Sequence, residues 1–296
     1  MQTLKRTLWT LLFWAAAGGA WAQSCTISSA SPLGSAFNYD PFNAGFNDTQ
    51  GAFSITCTRP TGGQNKFPGT FYVGATNGSN YSGGTRRMAF GANYLSYALY
   101  MNFPNCNTAW GAAALAEVYQ LPNTGTGPNN ATTVPNPLAN NRTFCVRITG
   151  GANTAPPGIY TDTVQIAVAE SPIVIWGQLA VQITTTISPA CYFNAGLPAI
   201  NLTYTSFQTG NSSGTSSFEL KCTNTTTYTV GFDTPSGTVL GLNYNLAAAP
   251  GTGTGTGVTQ TPPGHTVTAT IPSGQGGTCS GPSCSGTASR SVVITY

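Results

Sequence analysis

The chain has 296 residues, of which only 6% are charged and 11% are aromatic. Its formal net charge of +3 is too small for binding nucleic acid or an anionic membrane by charge alone. Few charges combined with many aromatic residues also exclude an intrinsically disordered chain, whose composition has the opposite bias. The length suffices for two domains of ordinary size.

Residues 1–22 have the pattern of a secretory signal peptide. Lys5 and Arg6 precede an apolar run over 8–17, and the sequence A-W-A at 20–22 forms an A-x-A cleavage site. The apolar run is too short to span a bilayer, although an uncleaved anchor is the alternative interpretation. We expect cleavage after residue 22, which removes both basic residues and leaves a net charge of +1.

All eight cysteines follow this segment, and in an exported protein they favour disulfide bonds. Zinc binding is the competing interpretation, but the sequence has no C-x-x-C pair and a single histidine, His265. We therefore expect no metal and no other cofactor.

The cysteines reveal an internal repeat. The spacing from Cys25 to Cys57 differs by one residue from that between Cys191 and Cys222. Three further matches occur in the same order along the chain. They are Tyr39 and Phe53 with Tyr204 and Phe218, Leu95-Ser96-Tyr97-Ala98-Leu99 with Leu242-Asn243-Tyr244-Asn245-Leu246, and Gly158, Val164 and Ile166 with Gly286, Val292 and Ile294. The pattern indicates a tandem duplication, with one copy at about 25–170 and the second at about 191–296.

The repeat also suggests which cysteines pair, out of the 105 pairings that eight cysteines allow in principle. Cys25–Cys57 and Cys191–Cys222 should be equivalent bridges. The other cysteines then pair within their own copies, as Cys106–Cys145 and Cys279–Cys284.

Apolar and polar residues alternate between clusters of Gly, Pro, Asn and Thr, which is typical of half-buried β-strands joined by turns. Copy one has such segments near 52–58, 70–76, 93–102, 142–149, 159–169 and 179–187. The exception is 112–119, which could form a short helical turn. We predict an all-β fold of two tandem immunoglobulin-like β-sandwich domains, at 23–187 and 188–296.

The two copies end differently. Leu179, Val181 and Ile183 form one more strand after copy one, whereas copy two stops at Tyr296. We expect 179–187 to complete the first sandwich and the second to lack its last strand. The open edge, with Val292, Ile294 and Tyr296, would then accept a strand from another chain.

The expected mature chain has only two residues before Cys25, too few to donate a strand. It would thus accept a strand without supplying one, which defines the terminal subunit of a strand-linked polymer.

Several motifs resemble the spore coat protein U domain family. They are the first cysteine with the Tyr-x-x-Phe element, the Leu-x-Tyr-x-Leu strand, Asn107-Thr108-Ala109-Trp110-Gly111, and Pro157-Gly158-Ile159-Tyr160-Thr161-Asp162-Thr163-Val164. Copy two resembles the family less, because the Trp-Gly element is absent and Arg290 stands where copy one has Asp162. The family builds archaic, Csu-type chaperone–usher pili.

The resemblance implies a two-domain tip adhesin, with an N-terminal adhesive domain and a C-terminal pilin domain. It implies a periplasmic pilus chaperone, an outer-membrane usher and an adjacent pilin that donates a strand as partners. It also implies export through the periplasm to the cell surface, attachment to an abiotic or host surface, and biofilm formation.

An enzyme is the rival class. The sequence has no G-x-S-x-G elbow and no phosphate-binding glycine loop, and His265 lies at a probable strand entry, where we expect a surface residue. Two acids would suffice for a glycosidase, but Asp40 and Asp233 lie in turn contexts where aspartate commonly caps the turn. We expect no catalytic residues.

Three connections between the predicted strands of copy one share the end that points away from copy two, and all are apolar. Exposed apolar loops commonly mark interaction sites. We therefore expect a surface-binding end formed by Phe67, Phe103, Trp110, Leu115, Ile173, Val174, Ile175 and Trp176. The alternative is that these residues pack the top of the core or begin the last strand.

Two other functions stay open. One is lectin-like glycan binding through aromatic and amide side chains, for which the candidates are Tyr72, Tyr81, Tyr94, Asn77 and Asn80. The other is a structural role as a coat protein or minor pilin.

Overall fold

The computed structural model describes residues 24–29, 37–58, 72–101, 103–110, 138–150, 154–171, 174–257 and 260–296. These residues form strands and turns, and none of them lies in a helix, so none belongs to a helix that could cross a membrane. The signal peptide predicted at 1–22 and the helical turn predicted at 112–119 both lie outside the described residues.

Ten strands form the N-terminal sandwich. They are β1 (Ser24–Ser29), β2 (Phe37–Tyr39), β3 (Phe46–Thr58), β4 (Tyr72–Ala75), β5 (Arg86–Phe90), β6 (Asn93–Met101), β7 (Thr108–Ala109), β8 (Leu138–Thr149), β9 (Gly158–Ser171) and β10 (Val174–Ile187). They pair in the order β1-β3-β8-β6-β5-β9-β10-β2, with β4 also on β9 and β7 on β6. β6 belongs to both layers, since its residues 98–101 pair with β8 and its residues 93–97 pair with β5. The strands on its two sides therefore form two sheets that face each other.

The alternation in these strands decides which residues meet between the layers. Phe53, Leu99 and Ile148 from one layer and Val164 and Ile183 from the other are all buried in one apolar core. Their polar neighbours along each strand point outward, as expected for an antiparallel sandwich.

Eight strands form the C-terminal sandwich. They are β11 (Cys191–Phe193), β12 (Ser212–Cys222), β13 (Thr227–Phe232), β14 (Ser236–Val239), β15 (Leu242–Ala249), β16 (Thr252–Thr254), β17 (Gly264–Ile271) and β18 (Val292–Thr295). One sheet has the order β11-β12-β17-β15-β14 and the other the order β16-β13-β18.

Strand pairing follows the same plan in both sandwiches. β11, β12, β17 and β15 repeat the order of β1, β3, β8 and β6, and β18 pairs with β13 as β9 pairs with β4. Among the described residues of the C-terminal half, no strand corresponds to β10 or β2. The described residues therefore form two immunoglobulin-like sandwiches, and those of the second include no counterpart of the last strand of the first.

The structure contains the four disulfide bonds expected from the repeat: Cys25–Cys57, Cys106–Cys145, Cys191–Cys222 and Cys279–Cys284. The first and third join neighbouring strands at equivalent places, since Cys25 pairs in register with Cys57 and Cys191 with Cys222.

The strands β9 and β10 are longer than the alternation predicts, and only residues 172–173 separate them. Ile175 and Trp176 were expected in a loop but lie in β10, where Ile175 pairs with Ala169. The pattern misled because a bulge between Ile175 and Gly177 interrupts the alternation.

Candidate functional site

The first candidate site is the outer edge of β18. On one side β18 pairs with β13, from Val292 opposite Phe232 to Thr295 opposite Thr229. On the other side it has no strand partner among the described residues. In the N-terminal sandwich β10 occupies the corresponding side of β9, from Gly177 opposite Val168 to Ile187 opposite Gly158.

The side chains of β18 alternate between the two faces of its sheet. Val292 and Ile294 turn toward the core and are half-buried, whereas Val293 is 42% exposed on the outer face. The equivalent inward residues of β9, Val164 and Ile166, are fully buried. The difference is what a missing neighbour strand produces, because that strand would supply the cover.

A short stretch outside the strands, 200–204, runs beside β12, where the Ile200 and Leu202 side chains lie against Gly214. Ile200, Leu202 and Tyr204 alternate as half-buried residues with exposed Asn201 and Thr203. Side chains rather than a strand hold this stretch: the Ser212 hydroxyl donates to the Thr203 carbonyl at 2.6 Å. Within the described part of the chain, no backbone hydrogen bond joins 200–204 to a neighbouring strand.

The N-terminal copy shows this stretch paired. Tyr39, the counterpart of Tyr204, lies in β2, which pairs in parallel with 185–187 of β10, and only 2% of its surface is exposed. Tyr204 is half-buried. In the first sandwich β10 lies between β9 and β2. At the equivalent place of the second sandwich, beside β18, the described residues form no strand, and Val292, Ile294 and Ile200 pack against its core as half-buried side chains.

Two hydrogen bonds between Ser291 and Asp233 fix the beginning of β18. The Ser291 amide donates to the Asp233 carboxylate at 3.0 Å, and the Asp233 amide donates to the Ser291 carbonyl at 3.1 Å. The hydrogen bond from the Ser291 amide lowers the pKa of Asp233 below its usual value. The carboxylate is thus a fixed acceptor that holds β18 against β13 at neutral pH.

Asp162 in β9 and Arg290 just before β18 stand at equivalent positions, each two residues before an inward-facing valine, Val164 or Val292. Asp162 is buried and accepts hydrogen bonds from the Tyr97 hydroxyl at 2.7 Å and from the Ser79 amide at 2.8 Å. Burial, followed by this hydrogen bond to Asp162, raises the pKa of Tyr97. In the second copy the Arg290 guanidinium lies over the ring of Tyr244 at 5.7 Å instead.

The second candidate site is the apolar end of the N-terminal sandwich. The described strand ends Thr58, Tyr72, Leu138 and Ser171 all lie there, as Cys57 pairs with Leu138 and Tyr72 with Ala169. The three connections thus leave from one end, but Phe67, Leu115 and Ile173 lie outside the described residues, as does the side chain of Val174.

Trp110 was expected in the surface-binding end, and that expectation is wrong. Its side chain is 1% exposed and packs against Phe53 and Phe144, with ring centroids 6.1 and 5.6 Å apart. The Arg86 guanidinium donates to the Trp110 carbonyl at 2.6 Å and fixes the chain there. Trp110 is therefore a core residue of the N-terminal sandwich.

The other described members of this set differ in exposure. Ile175 is 48% exposed, Trp176 is half-buried and packs against the core, and Phe103 is half-buried. Ile175 is the described side chain that best fits a surface-binding role.

The glycan-binding candidates do not form one pocket. Asn80 contacts the Thr161 carbonyl near the start of β9, and the Arg87 guanidinium donates to the Asn80 carbonyl and stacks 4.2 Å from the Tyr94 ring centroid. Tyr72 pairs with Ala169 at the opposite end of β9. Tyr81 is exposed, and the Asn77 side chain is partly buried.

His265 was expected at the surface but is 1% exposed within β17. Its Nδ1 lies 2.8 Å from the Pro250 carbonyl, so Nδ1 donates and Nε2 accepts from the Tyr228 hydroxyl at 2.9 Å. Burial raises the pKa of Tyr228. The pair is a satisfied core hydrogen bond, and the described residues contain no cluster of three or more metal-ligating side chains.

The sequence model of the Spore Coat Protein U domain matches residues 13–167, which is more than half of the chain. The chain therefore belongs to the Spore Coat Protein U domain family. The match ends within β9, so β10 and the whole C-terminal sandwich lie beyond it.

Among solved structures, the chain is similar to the CupB6 tip adhesin from Pseudomonas aeruginosa, with 9% identity and a TM-score of 0.35 over 86% of this chain and 90% of that one. It is also similar to CfaE, the adhesive subunit of CFA/I fimbria of enterotoxigenic Escherichia coli, with 13% identity and a TM-score of 0.29 over 85% and 86%. A comparison with curated proteins finds no match.

Proposed function

We propose that the chain is the tip adhesin of a chaperone–usher pilus, held in the fibre by a strand that a neighbouring pilin donates to its C-terminal sandwich. One observation carries this proposal: β10 covers the last edge of the first sandwich, whereas the described residues of the second place no strand on the same edge of β18. Membership of the Spore Coat Protein U domain family agrees with it.

The gap beside β18 has the properties that a donated strand requires. It offers an unpaired backbone edge, and its floor is apolar through Val292 and Ile294. Strand addition combines these two features, because the backbone gives affinity and the apolar pockets give register. A periplasmic chaperone would cover the gap first, and the pilin strand would replace it at the outer-membrane usher.

The two faces of β18 allow a matched test. Ile294→Asp places a charge on the inner face, where a donated strand would bury it, whereas Val293→Asp places it on the exposed outer face. When the chain is co-produced with its chaperone and adjacent pilin, we expect Val293→Asp to give the same pilin complex as the unchanged chain. Ile294→Asp should lose this complex.

The readout is an adhesin–pilin band in denaturing gels that separates only on boiling, together with thermal unfolding of each free variant. Equal complex formation by both variants would contradict strand donation at β18. Unchanged unfolding of the N-terminal sandwich in both variants serves as the folding control.

The adhesive surface is proposed at the free end of the N-terminal sandwich, where Ile175 stands exposed. Fully burying an isoleucine side chain contributes roughly 1.5–3 kcal/mol, and Ile175 has about half of its surface left to bury. We therefore expect Ile175→Ser to weaken attachment of the subunit to polystyrene by up to about tenfold. Ile159→Ser is the matched control, because Ile159 is 58% exposed on the same sheet but near the other end. Equal attachment by both variants would argue against this surface.

A further inference from the structure

The two sandwiches meet through an aromatic contact. The ring of Phe42, just after β2, packs edge-on against the ring of Tyr192, with centroids 4.7 Å apart and planes at 63°. Tyr192 directly follows Cys191, the first cysteine of the second sandwich, and residues 188–190 connect it to the end of β10. The Phe42 amide donates to the Asp40 carboxylate at 2.9 Å, which holds the turn in place.

Phe207 is the counterpart of Phe42 in the second sandwich. Each phenylalanine stands three residues after the tyrosine of its copy, Tyr39 or Tyr204. Phe42 is covered by the following sandwich, whereas Phe207 is 73% exposed, more than any other large apolar side chain in the described residues.

The exposure of Phe207 is built into the fold. Its amide donates to the Gln275 carbonyl at 2.8 Å, and its backbone has a φ of +59°, which is uncommon for a bulky residue. The ring lies on Gly276, where an added Cβ would come within 2.9 Å of it. A strained backbone that fixes a phenylalanine in solvent points to a partner for its ring.

Phe207 also stands at the end of the sandwich where a donated strand would leave. β10 leaves the first sandwich beside Tyr39 and reaches the next cysteine through residues 188–190. Phe207 lies next to the start of β12, where Ser212 pairs with Ile271, and the other end of β12 carries Cys222, joined to Cys191. Phe42 and Phe207 therefore stand at equivalent ends of their sandwiches.

We infer that Phe207 is the docking residue for the adjacent pilin, and that it packs against a large apolar or aromatic side chain directly after the first cysteine of that pilin. The contact inside this chain between Phe42 and Tyr192 is its template. This inference rests on the proposed strand donation, since the donated strand would bring the cysteine of the pilin to Phe207.

A second contact joins the two sandwiches, and one of its residues has a counterpart in the second sandwich by sequence spacing. The Asn224 amide side chain donates to the Thr154 carbonyl at 2.5 Å. Thr154 precedes Gly158 by the same interval as Pro282 precedes Gly286, and Pro282 lies in the loop that Cys279–Cys284 closes. This loop would offer its carbonyl groups to the pilin beside Phe207.

Site-specific photo-cross-linking in assembled pili tests the inference. The photoreactive residue p-benzoylphenylalanine replaces Phe207 in the full chain, produced in cells that assemble the pilus. In separate strains it replaces Phe42, as the positive control, and Phe46, a 59% exposed phenylalanine of the first sandwich, as the negative control. Mass spectrometry locates each cross-link, and an unboiled gel reports the adhesin–pilin complex.

We expect a cross-link from position 207 to the two residues after the first cysteine of the pilin. Position 42 should cross-link to Tyr192, and position 46 should give no cross-link to the pilin. A complex that forms normally but is cross-linked elsewhere, or not at all, from position 207 overturns the docking role and leaves strand donation intact. Absence of the complex with the unchanged chain overturns both.

Discussion

Asp162 and Arg290 occupy equivalent positions in the two sandwiches and meet equivalent tyrosines in opposite ways. Asp162 accepts from the hydroxyl of buried Tyr97, whereas Arg290 lies over the face of Tyr244. A buried carboxylate needs donors around it, and the first sandwich supplies them from the Ser79 and Asn80 amides as well. The open second sandwich leaves Arg290 exposed to water, so the same position carries a charge without burying it.

The hydrogen bond between Tyr97 and Asp162 predicts a pH dependence of the first sandwich. Burial and this bond raise the pKa of Tyr97 in the folded state, so the unfolded chain loses the proton first, at about pH 10. Stability is therefore complete below about pH 10 and falls as pH rises above it. Tyr97→Phe should reduce that slope by about 1.4 kcal/mol per pH unit, measured by urea unfolding at several pH values.

Tyr160→Phe is the comparison, because burial without a carboxylate partner should give a slope only between about pH 10 and about pH 12. Burial raises the pKa of Tyr160 to about 12, and its hydroxyl donates to the Pro156 carbonyl rather than to a carboxylate. A slope unaffected by Tyr97→Phe would show that Asp162 does not hold the proton of Tyr97 in the folded state.

Trp110 and Ile175 should respond in opposite ways to truncation. Trp110→Ala removes a fully buried ring between Phe53 and Phe144, so it should lower the free energy of unfolding by about 3–5 kcal/mol. Ile175→Ser changes a half-exposed side chain and should alter stability by no more than about 0.5 kcal/mol. Denaturant unfolding of both variants measures this, and a mild effect at Trp110 would place it outside the core.

The role of Trp110 could not be read from its neighbours in the sequence. It stands alone among small and polar residues, without the alternation that marks a buried strand position. The backbone of Trp110 is held by Arg86, a residue distant in the sequence, whose guanidinium donates a hydrogen bond to the Trp110 carbonyl. A charged residue inside the core gives no periodic signal, because its side chain is apolar only along its stem.

At the scale of elements, the longer strands were predictable and the short ones were not. Buried and less buried residues alternate along most of β3 and along β9 from Tyr160 to Ile166, and the registers of these segments follow from which face is buried. β5 has the sequence Arg-Arg-Met-Ala-Phe, and its buried positions are Arg86 and Met88. Because one of them is charged, the sequence has no apolar alternation that would predict this strand. The three-residue β2 is defined by its pairing with β10 rather than by a pattern of its own.

The disulfide bonds should contribute unequally because they close loops of different length. Cys106–Cys145 spans 39 residues and ties the stretch beside Trp110 to β8, whereas Cys279–Cys284 spans 5. Loop-closure entropy predicts a loss of about 4 kcal/mol for Cys106→Ser with Cys145→Ser, and about 2 kcal/mol for Cys279→Ser with Cys284→Ser.

Urea unfolding of the two double variants measures this difference. A larger loss from the short loop would mean that Cys279–Cys284 is part of the packing of the second sandwich rather than a clip on its surface.

At the scale of the whole molecule, the repeat predicted two sandwiches with one plan, and the pairing of β18 with β13 and of β9 with β4 follows that plan. What the repeat could not determine is how each copy is completed. The parallel pairing of β2 with β10 joins residues far apart in the sequence, and the exposure of Phe207 depends on contacts with Gln275 and Gly276. Such long-range contacts leave no local pattern.

Hydrogen exchange of the backbone amides in the mature chain, alone and in complex with the adjacent pilin, tests the open second sandwich most directly. Strand pairing slows exchange, so β10 should exchange slowly in both states. The β18 amides that point away from β13, and those of 200–204, should exchange rapidly in the free chain and slowly in the complex. Slow exchange of both segments in the free chain, or exchange that the pilin leaves unchanged, would contradict a socket that a neighbour's strand fills.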